Sequence, residues 1–357
     1  MTSLLGFFAE IFSYENVEFV IYMYLIPLVC IPGIIAATMS SIVFARMRQT
    51  SLEVLLCGLS LFDVILLTSS ILIYPSMCAC SKEENRADSF VCHFFWRCTI
   101  IIWPLSLMAQ VGSVWTCVAV TFDRFIAVSF PIKKRVWCTP STSAAVLCVI
   151  TVFSALFKLP SFFEVRLDEK GEVQMTWLRE NVFYITFYVF YLYVAVIQLV
   201  PWTAIIALNA VVIHKVRLAY RLQAVLIQNS EKPRSKREDA ERRVTVMATV
   251  MTGIFIICNI PPGVNNLVDH LDVSYKYVFR QRIPLSNLLV CVNSASNMLI
   301  YCVFNAKFRQ GALRLIGVRR KGSRGSVSRL HETSYMMRSR VATSENLQKN
   351  ADSPTPC

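Results

Sequence analysis

One carboxylate of this chain stands in a strongly apolar setting. Asp63 lies in the middle of LSLFDVILL, within the stretch 54–74 that contains no other charged residue. A charge inside a membrane costs roughly 2.5–3.5 kcal/mol on insertion scales, so such a residue is a functional candidate. Polar residues of other apolar stretches that could meet it are Ser113, Asn293, Ser294 and Asn297.

These neighbours predict a sodium site at Asp63. A carboxylate with hydroxyl and amide neighbours can hold a partly hydrated monovalent cation, because hard cations prefer oxygen ligands. The alternative is a carboxyl group that is only hydrogen-bonded or is protonated by desolvation. Spacing alone does not choose between them.

A second charged feature is Asp123-Arg124, at the end of a later apolar stretch. Adjacent opposite charges there could be an interfacial pair that only ends a helix. Arg124 could also reach Glu241, which precedes another apolar stretch. An ion pair between two helices can be made or broken, which gives a two-state element.

Seven long apolar stretches must position these groups. The chain has 357 residues, of which 55% are hydrophobic and only 17% are charged, against roughly 25% charged in soluble proteins. Each stretch is about long enough to cross a bilayer as a helix, although the fourth needs to continue to Pro160. Because backbone in hydrocarbon must satisfy its own hydrogen bonds, we predict an all-α membrane protein with a seven-transmembrane helix bundle. The stretches are 19–45, 54–74, 99–122, 142–157, 182–213, 244–268 and 283–304.

The positive charges predict the orientation of the bundle. The net charge is +13. With the N-terminus outside, the cytoplasmic segments hold 26 Lys and Arg residues and the outer segments hold nine. Positive charge favours the cytoplasmic side, so the excess of cations is a topology signal and does not indicate a nucleic-acid partner.

Four segments follow from this topology: an extracellular N-terminus at 1–18, the bundle at 19–304, a juxtamembrane helix at 305–316 and a disordered cytoplasmic tail at 317–357. The juxtamembrane segment places its apolar residues on one helical face: Phe308, Ala312, Leu315 and Ile316. That pattern predicts a short amphipathic helix on the inner leaflet. An unstructured basic segment is the alternative.

Cysteines on the predicted outer side suggest a disulfide. Of the 13 cysteines, Cys78, Cys80, Cys92 and Cys98 face the oxidising side, where a bridge is expected. Which of them pair cannot be read from the sequence.

Several motifs resemble those of rhodopsin-like G-protein-coupled receptors. VAVTFDRFIAVSFP at 118–131 looks like the Asp-Arg-Tyr region, and LSLFD at 59–63 like the second-span Leu-xxx-Asp. CNIP at 258–261 is similar to Cys-Trp-x-Pro, NMLIY at 297–301 to Asn-Pro-x-x-Tyr, and Pro201 to the fifth-span proline. The resemblance covers about residues 19–316.

Within that family the chain looks most like invertebrate FMRFamide-type neuropeptide receptors. The features are GSVWTCVAVTFDRF, LPSFFE at 159–164, and the motif NSxxNxxIY without proline. Nematode-type chemoreceptors share several of them. The chain departs from the family at Ala37, which replaces the first-span Asn, and at Asn259, which replaces Trp. The second outer loop has no cysteine, so the family's usual bridge cannot form.

The resemblance implies a ligand that enters from outside, most simply an amidated Arg-Phe peptide. Residues that would face it are Trp103, Ser106, Leu107, Gln110, Asn266, Asp269 and Asn287. Ser106 stands where amine receptors carry Asp, which argues against a cationic amine. Outer acids, Glu164 above all, could pair with the arginine of the peptide. The alternative is that these acids form a solvated loop face.

The resemblance also implies that the agonist shifts populations between two states. Breaking Arg124–Glu241 would release the sixth helix, and Arg124 and Tyr301 would then face a heterotrimeric G protein. The expected switch residues are Asp123, Arg124, Glu241, Asn259, Pro261, Asn297 and Tyr301. Serines and threonines of the tail imply receptor kinases and arrestin as partners, and the basic inner face implies contact with anionic membrane lipids.

Two alternatives to a peptide receptor of the plasma membrane stay open. One is a chemosensory or other orphan receptor with a non-peptide ligand, and the other is a seven-span transporter. Transporters tend to show inverted repeats and broken helices, which this sequence lacks. An enzyme is not expected, since the four histidines lie outside the apolar stretches or at their edges.

Overall fold

The computed structural model describes residues 14–47, 50–80, 90–168, 173–227, 236–271, 282–315 and 317. Within these ranges, seven helices are long and apolar enough to cross a membrane, which confirms the seven-span prediction. We name them the first to seventh spans: Asn16–Met47, Ser51–Cys80, Phe90–Ser129, Pro140–Phe163, Tyr184–Ala219, Arg242–Val268 and Arg282–Phe304.

Three spans combine more than one kind of helix. The first consists of Tyr14–Val20, a π-helical turn at Ile21–Leu25, and Ile26–Met47. The fourth is an α-helix over Pro140–Lys158 followed by a 3₁₀ turn at Leu159–Phe163. The fifth begins with two π-helical segments and continues as an α-helix: Tyr184–Leu192, Val194–Leu199 and Val200–Ile227.

The remaining spans are single α-helices that run beyond the apolar stretches. The third covers 40 residues, and the helix of the sixth extends over Lys236–Leu271. Once a helix has formed, each further residue adds one hydrogen bond at little cost, so the helix can continue through polar residues. Apolar length therefore predicts where a helix crosses the membrane but does not predict where it ends.

Side-chain caps begin two of the spans. Thr50 and Glu53 form a capping box at the second span: the Glu53 N–H donates to Thr50 Oγ1 at 3.3 Å, and the Thr50 N–H donates to Glu53 Oε2 at 3.1 Å. At the fourth span, Thr139 Oγ1 accepts from the Thr142 N–H at 3.2 Å. Pro140 follows as the first helical residue, a position where its missing N–H costs nothing.

The connection between the fourth and fifth spans contains a short antiparallel hairpin. Strand β1 (Val165–Leu167) pairs with strand β2 (Val173–Met175), and Val165 lies opposite Met175. A helical turn at Trp177–Glu180 follows. These three-residue strands are too short to leave a periodic pattern in the sequence, so the sequence does not predict them.

Close helix contacts in the bundle depend on small residues. A Cβ atom at Gly112 of the third span would lie 2.4 Å from the Phe62 ring of the second span, and one at Gly33 would lie 2.8 Å from the Ala295 Cβ. Glycine lets these helices approach closely. Ser113 is thereby brought against the span that carries Asp63.

A short helix follows the seventh span at Ala306–Leu315, as predicted, with Phe308 and Ala312 buried. Asn305 caps it by accepting from the Phe308 N–H at 3.1 Å. Ile316 lies outside the described residues, as do 1–13 and, apart from Gly317, the predicted tail.

The chain divides into two units, Met1–Ala312 and Leu313–Cys357, and of the second the structure describes residues 313–315 and 317. In this second unit, Gly317 has a φ of 82°. Its N–H donates to the Arg314 carbonyl at 3.3 Å. Glycine adopts this left-handed conformation without steric cost, which makes it a common residue just after a helix.

Candidate ligand cavity and buried polar sites

A cavity of about 260 Å³ lies between the second, third, fifth, sixth and seventh spans. The cavity lies in the half of the bundle that carries the Cys80–Cys92 disulfide. Its lining includes six of the eight predicted ligand residues: Trp103, Ser106, Leu107, Gln110, Asn266 and Asn287. The structure brings these six together, and their role in binding stays a prediction. The side chain of Asp269 lies outside the described residues.

The polar lining of the cavity is neutral. Asn265 Nδ2 donates to Ser286 Oγ at 2.6 Å, and Asn287 Nδ2 donates to the Tyr22 hydroxyl at 3.0 Å. The Tyr22 ring stacks on Tyr74, with the ring centroids 5.0 Å apart. No carboxylate lines the cavity among the described residues. The site therefore offers amides, hydroxyls and aromatic faces.

Glu164 lies apart from the cavity and has partners in the chain. Its Oε2 accepts from Arg179 Nη1 at 2.8 Å, and its Oε1 accepts from the Tyr184 hydroxyl at 2.8 Å and from Ser161 Oγ at 3.2 Å. These donors lie on three different elements between the end of the fourth span and the start of the fifth. The carboxylate thus ties the hairpin region together, and its predicted contact with a ligand stays a prediction.

Asp63 is 1% exposed, and its two oxygens differ in their surroundings. Oδ2 accepts from Asn297 Nδ2 at 2.8 Å, whereas Oδ1 has no hydrogen-bond partner among the described residues. The hydroxyls of Ser113 and Ser294 lie beside the same carboxylate. Asn293 is also buried on the seventh span. An orphaned oxygen on a buried carboxylate is costly, and with hydroxyl and amide neighbours it fits the monovalent cation that the sequence predicts.

Asp123 and Arg124 form a buried ion pair at the opposite end of the bundle. Arg124 Nε donates to Asp123 Oδ2 at 3.1 Å, and Arg124 Nη2 contacts the same oxygen. Ser51, the first residue of the second span, donates its hydroxyl to Asp123 Oδ1. The side chains of Arg124 and Asp123 are 7% and 5% exposed. Both carboxylate oxygens are therefore satisfied.

Cys138, in the connection after the third span, also meets this carboxylate. Burial raises the pKa of its thiol to about 11, and the negative charge of Asp123 and a hydrogen bond to it add to the shift. The sequence missed both Ser51 and Cys138, because neither stands near Asp123 in a recognisable motif. The predicted partner Glu241 lies on the helix Lys236–Leu271, and its side chain is outside the described residues.

Other predicted switch residues lie on the sixth and seventh spans. Asn259 Nδ2 donates to the Phe255 carbonyl of its own helix at 2.8 Å, and Pro261 lies within the same helix. Tyr301 is fully buried, with its hydroxyl 3.7 Å from Met251 Sδ and its ring centroid 5.0 Å from that of Phe44. Tyr301 thus joins the first, sixth and seventh spans.

One disulfide forms among the four predicted cysteines, between Cys80 at the end of the second span and Cys92 near the start of the third. Cys98 carries a free thiol. The bridge ties the second and third spans at their tips, so it is local, as the missing loop cysteine implied.

A bundle of seven spans, with a cavity at one end and a buried ion pair at the other, defines a multi-pass membrane protein. Residues 24–319 match the family described as "Serpentine type 7TM GPCR chemoreceptor Srw". The chain belongs to this family of serpentine seven-transmembrane G-protein-coupled receptors. The resemblance to such receptors is confirmed. With its seven spans, the chain is a multi-pass receptor of the plasma membrane.

Named relatives include peptide receptors. The FMRFamide peptide receptor frpr-18 of Caenorhabditis elegans is 31% identical over 321 residues, which are 86% of this chain and 71% of that protein. The FMRFamide receptor of Drosophila melanogaster is 28% identical over 329 residues, covering 89% of this chain and 57% of the relative. Somatostatin receptor type 2 of Mus musculus is 26% identical over 243 residues, covering 64% and 63%.

Proposed function

We propose that this chain is a receptor for an extracellular amidated peptide of the FMRFamide type and that it activates a heterotrimeric G protein. The cavity between five spans carries this proposal, because its aromatic and amide lining suits the C-terminal end of such a peptide. The names of the nematode and fly relatives support the same ligand class.

The proposal includes an orientation. An N-terminus outside is supported by the 26 cations that would then lie on the cytoplasmic side, against nine on the outer side. The cavity then opens toward the extracellular medium, and Asp123-Arg124 lies at the cytoplasmic end. The inner cations face anionic lipids of the inner leaflet.

The cavity residues would divide the recognition of the peptide end. Trp103 and Tyr74 offer faces to the phenylalanine ring, since aromatic pairs gain about 0.5–1.5 kcal/mol beyond their burial. Gln110, Asn266 and Asn287 offer donors and acceptors to the terminal carboxamide. The peptide arginine would meet an aromatic face or Asp269.

Activation would be a shift between two packings of the bundle. The inactive packing holds Arg124 on Asp123, with Ser51 as a further donor, and Glu241 as the proposed partner on the sixth helix. A sodium ion at Asp63, with oxygens from Ser113, Asn293 and Asn297, would favour the same packing. Phosphorylation of the tail would recruit arrestin.

Guanine-nucleotide exchange in membranes that contain the receptor tests this function. We expect an amidated Arg-Phe peptide to stimulate exchange and a scrambled amidated peptide of the same composition to have no effect. The Arg124→Ala receptor, present at the same surface density, is the matched control. Silence of the wild-type receptor across amidated peptides would overturn the proposal.

The second candidate is a chemosensory receptor for a small non-peptide ligand. The description of the matched family favours it, as does the cavity volume of about 260 Å³, which lies below the roughly 300–1,000 Å³ of typical ligand pockets. Exchange stimulated by small amphiphiles but by no amidated peptide would select this candidate. Ligand flux without exchange would instead indicate a transporter.

A further inference from the structure

Lys158 is a buried cation that nothing above explains. It is the last residue of the helix Pro140–Lys158 and is 6% exposed. Its ammonium makes no hydrogen bond or ion pair with any described residue. Instead, Nζ lies over three aromatic rings, 4.5 Å from the centroid of Tyr193, 5.2 Å from that of Phe157 and 5.6 Å from that of Tyr188.

An ammonium buried in this way is short of acceptors. It carries three N–H donors, and taking it out of water costs more than contacts with ring faces alone are expected to return. Glu164 is the carboxylate whose charge reaches it, but the oxygens of Glu164 are held by Arg179, Tyr184 and Ser161. The site is therefore electropositive and lacks an oxygen partner.

Tyr193 connects this cation to the cavity. The ring of Tyr193 is the one closest to Lys158 Nζ, and the same residue lines the cavity. Its hydroxyl makes no hydrogen bond with another described residue. A positive charge on the ring face withdraws electron density from the phenol, which makes its O–H a stronger donor. No carboxylate lines the cavity in the described part of the chain, so no charged acceptor there competes for this donor.

We propose that Tyr193 and Lys158 form an oxygen-binding subsite for the carbonyl oxygen of the C-terminal amide of the peptide. Tyr193 donates the hydrogen bond, and Lys158 acts through it as a positioning residue that supplies the positive charge. This subsite rests on the proposed peptide function and refines it. It assigns the fourth and fifth spans a share in recognition that none of the predicted ligand residues covers.

The test compares two forms of one peptide, an Arg-Phe peptide with a C-terminal amide and the same peptide with a free acid. Exchange is measured in the wild type, Lys158→Met, Lys158→Arg and Tyr193→Phe receptors. Tyr193→Phe should raise the EC50 of both forms about tenfold, the loss of one hydrogen bond to a ligand. Lys158→Met should raise the EC50 of the acid about tenfold more than that of the amide, because the anionic oxygen depends more on the charge.

Two controls separate recognition from packing. Lys158→Arg keeps the charge and should keep the ratio of acid to amide EC50 near the wild-type value. Tyr188→Phe alters a ring that also faces Lys158 but does not line the cavity, so the ratio should again be unchanged. Loss of folding lowers the response to both forms without changing the ratio, and Tyr193→Phe still reports on the donor.

The outcomes distinguish this subsite from the function on which it rests. A wild-type receptor that is silent to the amide overturns the peptide function and the subsite together. Where the wild type responds, the subsite alone is overturned by an unchanged ratio in a Lys158→Met receptor that reaches wild-type surface density, or by an unchanged EC50 in Tyr193→Phe.

Discussion

Two buried aspartates of this receptor have contrasting surroundings. Asp123 is satisfied on both oxygens, by Arg124 on one side and Ser51 on the other. Asp63 has one oxygen bonded to Asn297 and the other without a partner in the described structure. Both are almost fully buried, so burial alone does not distinguish them. The difference lies in the donors.

The hydrogen bonds of the two carboxylates suggest different roles for Asp123 and Asp63. Removing one partner from a complete buried pair leaves an uncompensated charge, and the hydrogen bond from Ser51 to Asp123 links the second and third spans. The free oxygen of Asp63 is best satisfied by something the chain does not supply. Under the proposed function, the chain itself satisfies Asp123, whereas a bound cation would satisfy Asp63.

The largest effect is expected from Arg124→Ala. The change removes the cation that pairs with Asp123 and should destabilise the inactive packing by about 3–5 kcal/mol. It also removes the group proposed to face the G protein, so agonist-stimulated nucleotide exchange should be abolished at equal surface density. Arg124→Lys, which keeps a charge, is the control. Wild-type exchange in Arg124→Ala would remove Asp123-Arg124 from the switch.

Glu241→Ala tests whether the pair at Asp123 has a second acid as partner. Loss of a lock across two helices should raise basal exchange at least about fivefold, the lower end of typical coupling energies. Asp239→Ala is the matched control, since residues two apart do not share a helix face. Basal exchange equal to that of the wild type in Glu241→Ala would show that no Arg124–Glu241 ion pair holds the receptor inactive.

Asp63→Asn should abolish the sodium sensitivity of the receptor. In the wild type, replacing choline by sodium should weaken agonist binding about fivefold, because the cation favours the inactive packing. The measurement is agonist affinity in membranes at constant ionic strength. Asp123→Asn should keep the sodium effect. Equal sodium sensitivity in Asp63→Asn would show that the orphaned oxygen holds no cation.

Ser51→Ala removes one donor from the satisfied carboxylate. An unsatisfied buried acceptor costs about 1–3 kcal/mol, so thermal unfolding of the purified receptor should begin at lower temperature. Ser113→Ala, beside the half-satisfied Asp63, should shift unfolding less, since that carboxylate already lacks a partner. A larger shift for Ser113→Ala would reverse the comparison of the two sites.

The smallest effect concerns Cys138 as a reporter of the Asp123 charge. The pKa of its thiol is raised to about 11, first by burial and then by Asp123. The thiol is therefore protonated near pH 8, and Asp123→Asn should lower its pKa and speed its alkylation a few-fold at that pH. Mass spectrometry of Cys138 in the Asp123→Asn and wild-type receptors measures the ratio of rates. Equal rates in the two receptors would place Asp123 outside the reach of the thiol.

The spans and six cavity residues could be predicted because they leave patterns that can be read along the sequence. Apolar length marks a membrane crossing, and motif order aligns Ser106, Gln110 and Asn287 with a known pocket. The bond between Ser51 and Asp123 joins residues 72 positions apart. No periodic pattern reports such a contact.

The partners of Glu164 and Lys158 were hidden for a related reason. Both residues stand at the end of the fourth span, where the sequence suggests solvent and a loop. The fold instead brings Arg179 and Tyr184 to the carboxylate and three aromatic rings to the ammonium. Which cysteines pair was equally beyond the sequence, since it depends on where two helix tips meet.

The third span is one continuous helix that carries Cys92 near one end and Arg124 near the other. At 1.5 Å per residue these two residues are about 48 Å apart along its axis. Pro104 lies between the disulfide and the cavity residues Ser106 and Leu107. It has no N–H, so one backbone hydrogen bond of the helix is missing there. The part of the helix from Ser106 to Arg124 contains no proline. A ligand that tilts the helix at Ser106 is therefore expected to displace Arg124 with it, because the helix between them is continuous. The end of the helix at the disulfide need not move.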